Sequence, residues 1–306
     1  ITLPRHLASV RPALEQALGS ISIRGPVLAT LEARMEADAT RSILASIDPA
    51  RMRALDGRRA YRRVFRPGLP GETDEEVAYS IFDVSAAPMG AIQVRKAPEK
   101  YTIDEQEEGL LVRIHSRVVA DAERDIYLDM LGLYWVAWDL SHEAWTAHVT
   151  RRQRAATRTE KEFGIRSAPS LGAPRSTLTV IKQDDEINLR EPYEWETPEP
   201  WMPRPLSWIL GLLLPRDEPL KMSYAFFDHR HTTPTLGSRR DEWSPRRPGD
   251  PVWVLKTWLD DSGLPAIAEY GPEGLQVQRN PDGLIIESSD PDVIQRYWDR
   301  AGLDTR

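Results

Sequence analysis

Cysteine is absent from the sequence, which excludes disulfides, thiol catalysis and zinc–thiolate sites. Long apolar runs are absent too, since the longest, Trp208–Leu214, is far short of the ~20 residues that cross a bilayer. No basic segment followed by an apolar one opens the chain, which begins with Ile1 rather than methionine. We therefore expect no transmembrane segment. We expect a periplasmic or secreted protein that has lost its leader, with the cytoplasm as the alternative.

Lysine is scarce, because 34 of the 40 basic residues are arginine. Acidic residues still outnumber basic ones, and the net charge is -7. An acidic chain is a poor general binder of phosphate backbones, so we expect no nucleic-acid partner. The 306 residues, 41% of them hydrophobic, can bury a sizeable core in one large domain or two smaller ones.

Catalytic signatures are missing as well. The sequence contains no G-x-S-x-G, no P-loop and no G-x-G-x-x-G. His142 and His148 lie six positions apart and would not share one face of a helix, so they do not form a zinc-protease motif. The acidic clusters "ETDEE" and "DEQEEG" adjoin turns and are typical of solvated loops. We expect no cofactor and favour a protein that is not an enzyme.

The first 68 residues predict a helical segment. Apolar residues recur at helical spacing in "RPALEQALG" and over residues 25–47. A third helix is predicted over residues 48–65, with Asp48 as N-cap and Pro49 at the first helical position. That segment holds six arginines, which we interpret as a solvated helix face, with a basic groove as the alternative. "RPGLPGETDEE", residues 66–76, reads as a linker.

From residue 75 to residue 306 the apolar pattern changes to a period of two, which predicts short antiparallel strands. Seven precede residue 152: "VAYSIF", "MGAIQVRK", "KYTIDEQ", "LLVRIHSRVV", "RDIYLDML", "LYWVAWDL" and "AWTAHVTR". Residues 163–176 read as a loop and residues 177–191 as a hairpin. Further strands are predicted in "KMSYAFFDHR", "VWVLKTWLDD", "AIAEYGPEGLQVQRN" and "GLIIESS", before a C-terminal helix at about residues 291–301.

The apolar run lies inside this strand-rich region and predicts an internal helix at about residues 203–214. Pro203 and Pro205 suit a helix entry, and Pro215 stops the helix. A helix that is apolar nearly all round must be buried on most sides. We expect it to fill the concave side of a curved sheet, with Trp195 and Trp201 at its mouth.

Two stretches of the chain are alike. "YSIFDVSAAPMG", from Tyr79, and "YAFFDHRHTTPTLG", from Tyr224, share the order Tyr, apolar, Phe, Asp, Pro and Gly. Two similar β-units, or a chance likeness in a strand-rich chain, both explain this.

The region from about residue 75 to residue 302 resembles the LolA-like group of periplasmic lipoprotein carriers and related secreted domains. The resemblance is carried by "AYSIFDVSAAPMGAIQVRK", where Gly90 opens a new strand, and by "AIAEYGPEGLQVQRN…GLIIESSDPDVIQRYW". It implies an α+β fold in which a large curved antiparallel β-sheet, a half-barrel, wraps around a buried helix. It also implies a ligand held in the concave face of the sheet.

Three functions are compatible with this sequence. The favoured one is a non-catalytic soluble protein that binds a lipid, an acyl chain or an apolar peptide. Its candidate ligand-binding residues are Trp135, Trp138, Trp195, Trp201 and Trp208. The second is a metal-assisted hydrolase using Asp228, His229 and His231, because the two histidines of "DHRH" would share one face of a strand. The third is a structural protein that docks a protein partner through its N-terminal helices.

Overall fold

The computed structural model describes residues 26–121, 126–153, 156–169, 175–184, 192–228, 234–259 and 263–300, apart from the side chains of residues 26–33, 156, 184 and 300. Within these ranges the chain forms a large antiparallel sheet and has little helix. The helices are α1 (Pro26–Ala45), α2 (Pro49–Arg53), α3 (Leu206–Leu213) and α4 (Pro291–Arg300). The strands are β1 (Arg58–Arg66), β2 (Glu75–Pro88), β3 (Glu108–Asp121), β4 (Ile126–Ala137), β5 (Glu143–Gln153), β6 (Ala156–Ser167), β7 (Thr177–Asp184), β8 (Tyr193–Glu196), β9 (Leu220–Asp228), β10 (Thr235–Pro245), β11 (Trp253–Leu259), β12 (Ala266–Gly271), β13 (Gly274–Arg279) and β14 (Ile285–Ser288).

The sheet consists of two meanders that meet at β1. Its fourteen described strands follow the order β8-β7-β6-β5-β4-β3-β2-β1-β14-β13-β12-β11-β10-β9. β1 pairs antiparallel with β2 on one side and with β14 on the other. The sheet is not closed, because β8 and β9 lie at its two ends. The chain crosses from one end to the other through α3.

Backbone groups on the free edge of β9 have partners from outside the sheet. Met202 N donates to Ala225 O, and Ala225 N donates to Pro200 O, both at 2.9 Å. Farther along the strand, Ser223 N donates to Thr40 Oγ1 of α1 at 2.9 Å. An uncovered strand edge is a template for aggregation, so α1 and residues 200–202 protect this one.

The face of the sheet that packs against α3 is called the inner face. Leu206, Ile209 and Leu210 of α3 are at most 2% exposed and belong to the largest hydrophobic cluster. That cluster includes side chains from strands on both sides of β1, among them Phe82 and Trp243. α3 therefore contacts both meanders. The apolar run contributes to the core mainly through the side chains that this helix buries.

The observed α3 agrees with the helix predicted at residues 203–214. Pro205 stands at its N-cap, and the backbone becomes extended at Leu214, before Pro215. Gly211 faces the Tyr270 ring so closely that a Cβ there would clash with it. A glycine at this position lets the helix approach β12, because no side chain separates the two.

The opposite, outer face of the sheet carries two smaller clusters. α4 places Ile294 and Trp298, each at most 1% exposed, against Tyr79 of β2. The ring centroids of Trp298 and His115 are 4.5 Å apart. The predicted C-terminal helix is thus confirmed over Pro291–Arg300.

Part of the predicted N-terminal helical segment is wrong. Residues 25–47 do contain α1, and Asp48 does cap α2 by accepting a 2.7 Å hydrogen bond from Ala50 N. However, α2 ends at Arg53, and residues 58–66 form β1 instead of a helix. In "RRAYRRVF" the side chains alternate between two faces of a strand. Arginines lie on both faces, so the sequence does not show the alternation of apolar and polar residues that would indicate a strand. The predicted linker at residues 66–76 therefore includes the ends of two paired strands, and only residues 67–74 connect them. The helix predicted in "RPALEQALG" lies outside the described residues.

Several strand predictions also need correction. "MGAIQVRK" and "KYTIDEQ" are not strands: 3-10 turns occupy Met89–Ile92, Pro98–Lys100 and Asp104–Gln106, so Gly90 opens no strand. Prolines punctuate this stretch, and Ile92 is buried against the outer face without strand pairing. "RDIYLDML" and "LYWVAWDL" belong to one strand, β4, with Gly132 in its interior. Strands β6, β8 and β10 were missed, and β6 extends into the predicted loop at residues 163–176.

Among the described residues, no helix has the length and apolar composition that crossing a membrane requires. The two similar β-units remain a prediction.

Candidate functional site

The structure brings together only some of the five candidate tryptophans. Trp138, Trp195 and Trp208 pack against the inner-face cluster and remain partly exposed. Trp201 belongs to the same cluster but is 4% exposed. Trp135 lies apart from them. Its side chain is completely buried in an outer-face cluster, and its Nε1 donates to Ala87 O at 2.9 Å.

Trp201 is held by a buried carboxylate. Its Nε1 donates to Glu143 Oε1 at 2.7 Å, and the backbone N of Arg204 donates to Glu143 Oε2 at 2.6 Å. Arg166 Nε lies 3.4 Å from the same carboxylate. Glu143 is 0% exposed, so burial raises its pKa, while the charge of Arg166 acts in the opposite direction. These contacts attach the chain before α3 to β5.

Arg204 forms the second half of this arrangement. Its guanidinium is paired with Glu162 and lies 4.9 Å from the ring centroids of Tyr134 and Trp145. Burial opposes ionisation of Glu162, but the charge and hydrogen bond of Arg204 outweigh burial, so the pKa of Glu162 is below its ordinary value. Glu143, Glu162, Arg166 and Arg204 are called the Glu143 cluster. Its charges are paired, as expected of a structural ionic network.

A different arrangement surrounds Phe82, also on the inner face. The guanidinium carbon of Arg62 lies 3.7 Å from the Phe82 ring centroid, and the rings of Phe82 and Trp208 are 6.1 Å apart. Phe82 is 7% exposed, whereas Arg62 and Trp208 remain partly exposed. Trp208 Nε1 is buried and has no hydrogen-bond partner among the described residues. Arg62, Phe82, Trp208 and Tyr270 are called the Arg62 site.

Tyr270 connects the Arg62 site to a third buried group. Burial raises the pKa of Tyr270, while the charges of Arg62 and Arg239 act in the opposite direction. Arg239 itself is paired with Asp241 at 2.9 Å. The Asp241 carboxylate also accepts hydrogen bonds from Thr257, at 2.6 Å, and from the Tyr224 hydroxyl. Arg239 therefore has its own acidic partner, Asp241, whereas Arg62 has none within the part of the chain that the structure describes.

The metal-site hypothesis remains a prediction. Asp228 lies at the end of β9 and is 1% exposed. His229 and His231 lie outside the described residues. Across the described part of the chain, no group of three or more histidines and carboxylates has a geometry that would hold a metal ion.

One hydrogen-bonded chain resembles a catalytic triad in composition. His142 Nδ1 lies 2.8 Å from Ser141 Oγ, and His142 Nε2 lies 3.0 Å from Glu107 Oε2. Asp139 accepts a 3.0 Å hydrogen bond from Ser141 N. A carboxylate beside the hydroxyl would repel the oxyanion that acyl transfer creates. This arrangement is therefore unsuited to nucleophilic catalysis.

An open depression of about 490 Å³ lies between the loops next to Trp253. Its charged groups have partners: Arg216 donates to Gly271 O at 2.7 Å, and Asp250 accepts from Arg246 at 2.9 Å. It offers no unpaired buried group that would fix the orientation of a ligand.

Arg62 is the site residue that sequence reasoning missed. The signal was present, because in a strand Arg62 shares a face with Ala60 and Val64, whereas Tyr61 and Arg63 point to the other face. An arginine on the apolar face of a strand is unusual. The predicted helix concealed this, because it placed all six arginines on one solvated face.

Comparison with known proteins adds little. No family model matches this chain, and no curated protein matches it. Among solved structures, it is similar to a β-barrel-like protein of a domain of unknown function, DUF1849, from Brucella abortus. The match has 10% sequence identity and a TM-score of 0.43, and it covers 76% of this chain and 94% of that one. The resemblance to the LolA-like carriers remains a prediction.

Proposed function

We propose that the protein is a non-catalytic binding protein that holds a lipid, an acyl chain or another apolar molecule on the inner face of the sheet. In this proposal the sheet is a half-barrel of the LolA-like kind, curved around α3, and the inner face is its concave side. The proposal also retains the predicted periplasmic or secreted location.

The observation that carries the proposal is the partial exposure of apolar side chains on the inner face beside α3. Trp208, Leu212 and Leu275 pack against the main cluster, yet all three remain partly exposed. Binding sites for small apolar molecules are concave and lined by apolar and aromatic side chains with a few polar groups. This part of the inner face has that composition.

The buried side of α3 limits where on the inner face a ligand can lie. Ile209 and Leu210 of α3 are at most 2% exposed and occupy the centre of the cluster. In this proposal the ligand is therefore a single extended chain or a small ring system that lies along the partly exposed side of α3.

The experiment combines native mass spectrometry of protein purified without delipidation with titration of a neutral fluorescent probe, N-phenyl-1-naphthylamine. We expect a copurified apolar molecule or saturable probe binding. Ala60→Leu narrows the inner face next to Phe82 and should weaken probe binding at least about tenfold. Arg59→Leu, on the outer face of the same strand, should leave binding unchanged. A folded wild-type protein that arrives empty and binds no probe would disprove the proposal.

A further inference from the structure

Arg62 differs from Arg59, Arg63 and Arg66 of β1, because no acid among the described residues pairs with it. Arg58 has no acidic partner there either, but its guanidinium donates to the Glu273 carbonyl. Arg59 pairs with Asp83, and Arg63 pairs with Glu76 and with Glu287 at 3.1 Å. No acid of the described chain lies within ion-pair distance of Arg62, whose closest aromatic contact is the Phe82 ring at 3.7 Å.

The surroundings of Arg62 work against an isolated charge. Burial lowers the pKa of Arg62, while the electrostatic interaction with Tyr270 acts in the opposite direction. An arginine nevertheless keeps its charge in a protein. Charges that are removed from water are normally paired, because an unpaired one lowers stability. Evolution tolerates such a loss mainly where a function requires the charge.

The contacts around Arg62 indicate what would pair with it. A guanidinium presents a planar set of N–H donors that matches the two oxygens of a carboxylate. Its neighbours Phe82 and Trp208 are apolar rings, and Trp208 Nε1 is a further donor for which the described residues supply no acceptor. An anion at Arg62 with an apolar chain along these rings satisfies both the charge and the apolar surface.

We propose that Arg62 binds the anionic head group of an amphiphile, a long-chain carboxylate, whose apolar chain lies against Phe82 and Trp208. This inference rests on the proposed function, because it concerns the same inner-face space. It adds the chemical class of the ligand and the residue that selects it.

The test measures binding of palmitate, methyl palmitate and hexadecanol at pH 8, by displacement of N-phenyl-1-naphthylamine. We expect wild-type protein to bind palmitate at least about tenfold more tightly than the ester or the alcohol, because only the acid pairs with the guanidinium. Arg62→Met should abolish this preference and retain binding of the ester. Arg62→Lys should keep part of the preference, because it retains the charge but not the fork of donors.

The matched control is Arg59→Met, which removes an arginine three residues away on the outer face and should bind as wild type does. Circular dichroism and urea unfolding establish that each variant is folded. Equal binding of acid and ester by the wild type, or an acid preference that persists in folded Arg62→Met, overturns the inference and leaves the proposed function standing. A wild type that binds the probe but none of the three ligands also overturns the inference alone, because probe binding supports the proposed function. Displacement of palmitate by equimolar phosphate would show a site for small anions and would also overturn the inference.

Discussion

Arg204 and Arg62 both place a guanidinium beside aromatic rings on the inner face, but only Arg204 has acidic partners. Arg204 is 4.9 Å from the Trp145 ring and is paired with Glu162, and its backbone N donates to Glu143. Arg62 is 3.7 Å from the Phe82 ring and has no acid among the described residues. The same side chain thus has a structural ion pair in one place, and in the other we propose that it pairs with a ligand. The comparison predicts that substitutions in the Glu143 cluster lower the free energy of unfolding, whereas removing the charge of Arg62 leaves it unchanged or raises it.

The largest expected effect follows removal of the central carboxylate, in Glu143→Ala. This change leaves the charge of Arg166 and the donors of Trp201 and Arg204 unpaired in the core. Breaking a buried pair in this way lowers the free energy of unfolding by about 3–5 kcal/mol. Urea unfolding monitored by circular dichroism measures it. The control is Glu196→Ala, whose pair with Arg175 is exposed and should contribute less than about 1 kcal/mol. A loss of similar size in both variants would contradict the structural role of Glu143.

Trp201 and Trp208 differ in the same way, because only one of these two neutral donors has a hydrogen-bond partner among the described residues. Trp201 Nε1 donates to Glu143 at 2.7 Å, whereas Trp208 Nε1 has no described partner. Replacing each with phenylalanine removes a similar volume, but only Trp201→Phe also removes a hydrogen bond to a carboxylate. We expect Trp201→Phe to be more destabilising than Trp208→Phe by about 1.5–3 kcal/mol in urea unfolding. Equal losses would mean that the Trp201 hydrogen bond adds nothing beyond packing.

The pH dependence of stability offers a third test. Because the charge and hydrogen bond of Arg204 keep the pKa of Glu162 below 4.5, the contribution of Glu162 to stability is fully present above that pH. It is lost as the pH falls through the lower pKa of the folded protein. Urea unfolding at pH 7, 4.5 and 3.5 should therefore show a decline that is smaller in Glu162→Gln. An identical decline in wild type and variant would remove Glu162 as its cause.

The sequence predicts the fold better than it predicts either arginine's role. Prolines on both sides of a short apolar run are enough to place α3, because proline starts and stops a helix by its own geometry. The contact between Glu143 and Trp201 joins residues 58 positions apart, and no local pattern encodes such a pairing. Arg62 was hidden for another reason: adjacent arginines on both faces of β1 gave the segment the charge density of a solvated helix. What the sequence leaves undetermined is which charges find partners after folding.

The smallest expected effect on stability is that of Arg62→Met, and its sign makes it informative. The substitution removes a partly desolvated charge and keeps an unbranched apolar stem against Phe82. Loss of the cation–π contact lowers the free energy of unfolding by about 0.5–1 kcal/mol. Removal of a charge that folding takes out of water raises it. We expect the free energy of unfolding to stay the same or to rise by on the order of 1 kcal/mol, as for other residues kept for function at the expense of stability. Urea unfolding of protein extracted free of lipid measures this. The contrast is Arg204→Met, which leaves Glu162 with only the more distant Lys182, at 3.7 Å, and must lower stability. A loss of several kcal/mol in Arg62→Met would mean that Arg62 supports the fold as Arg204 does, and the distinction between the two arginines would fail.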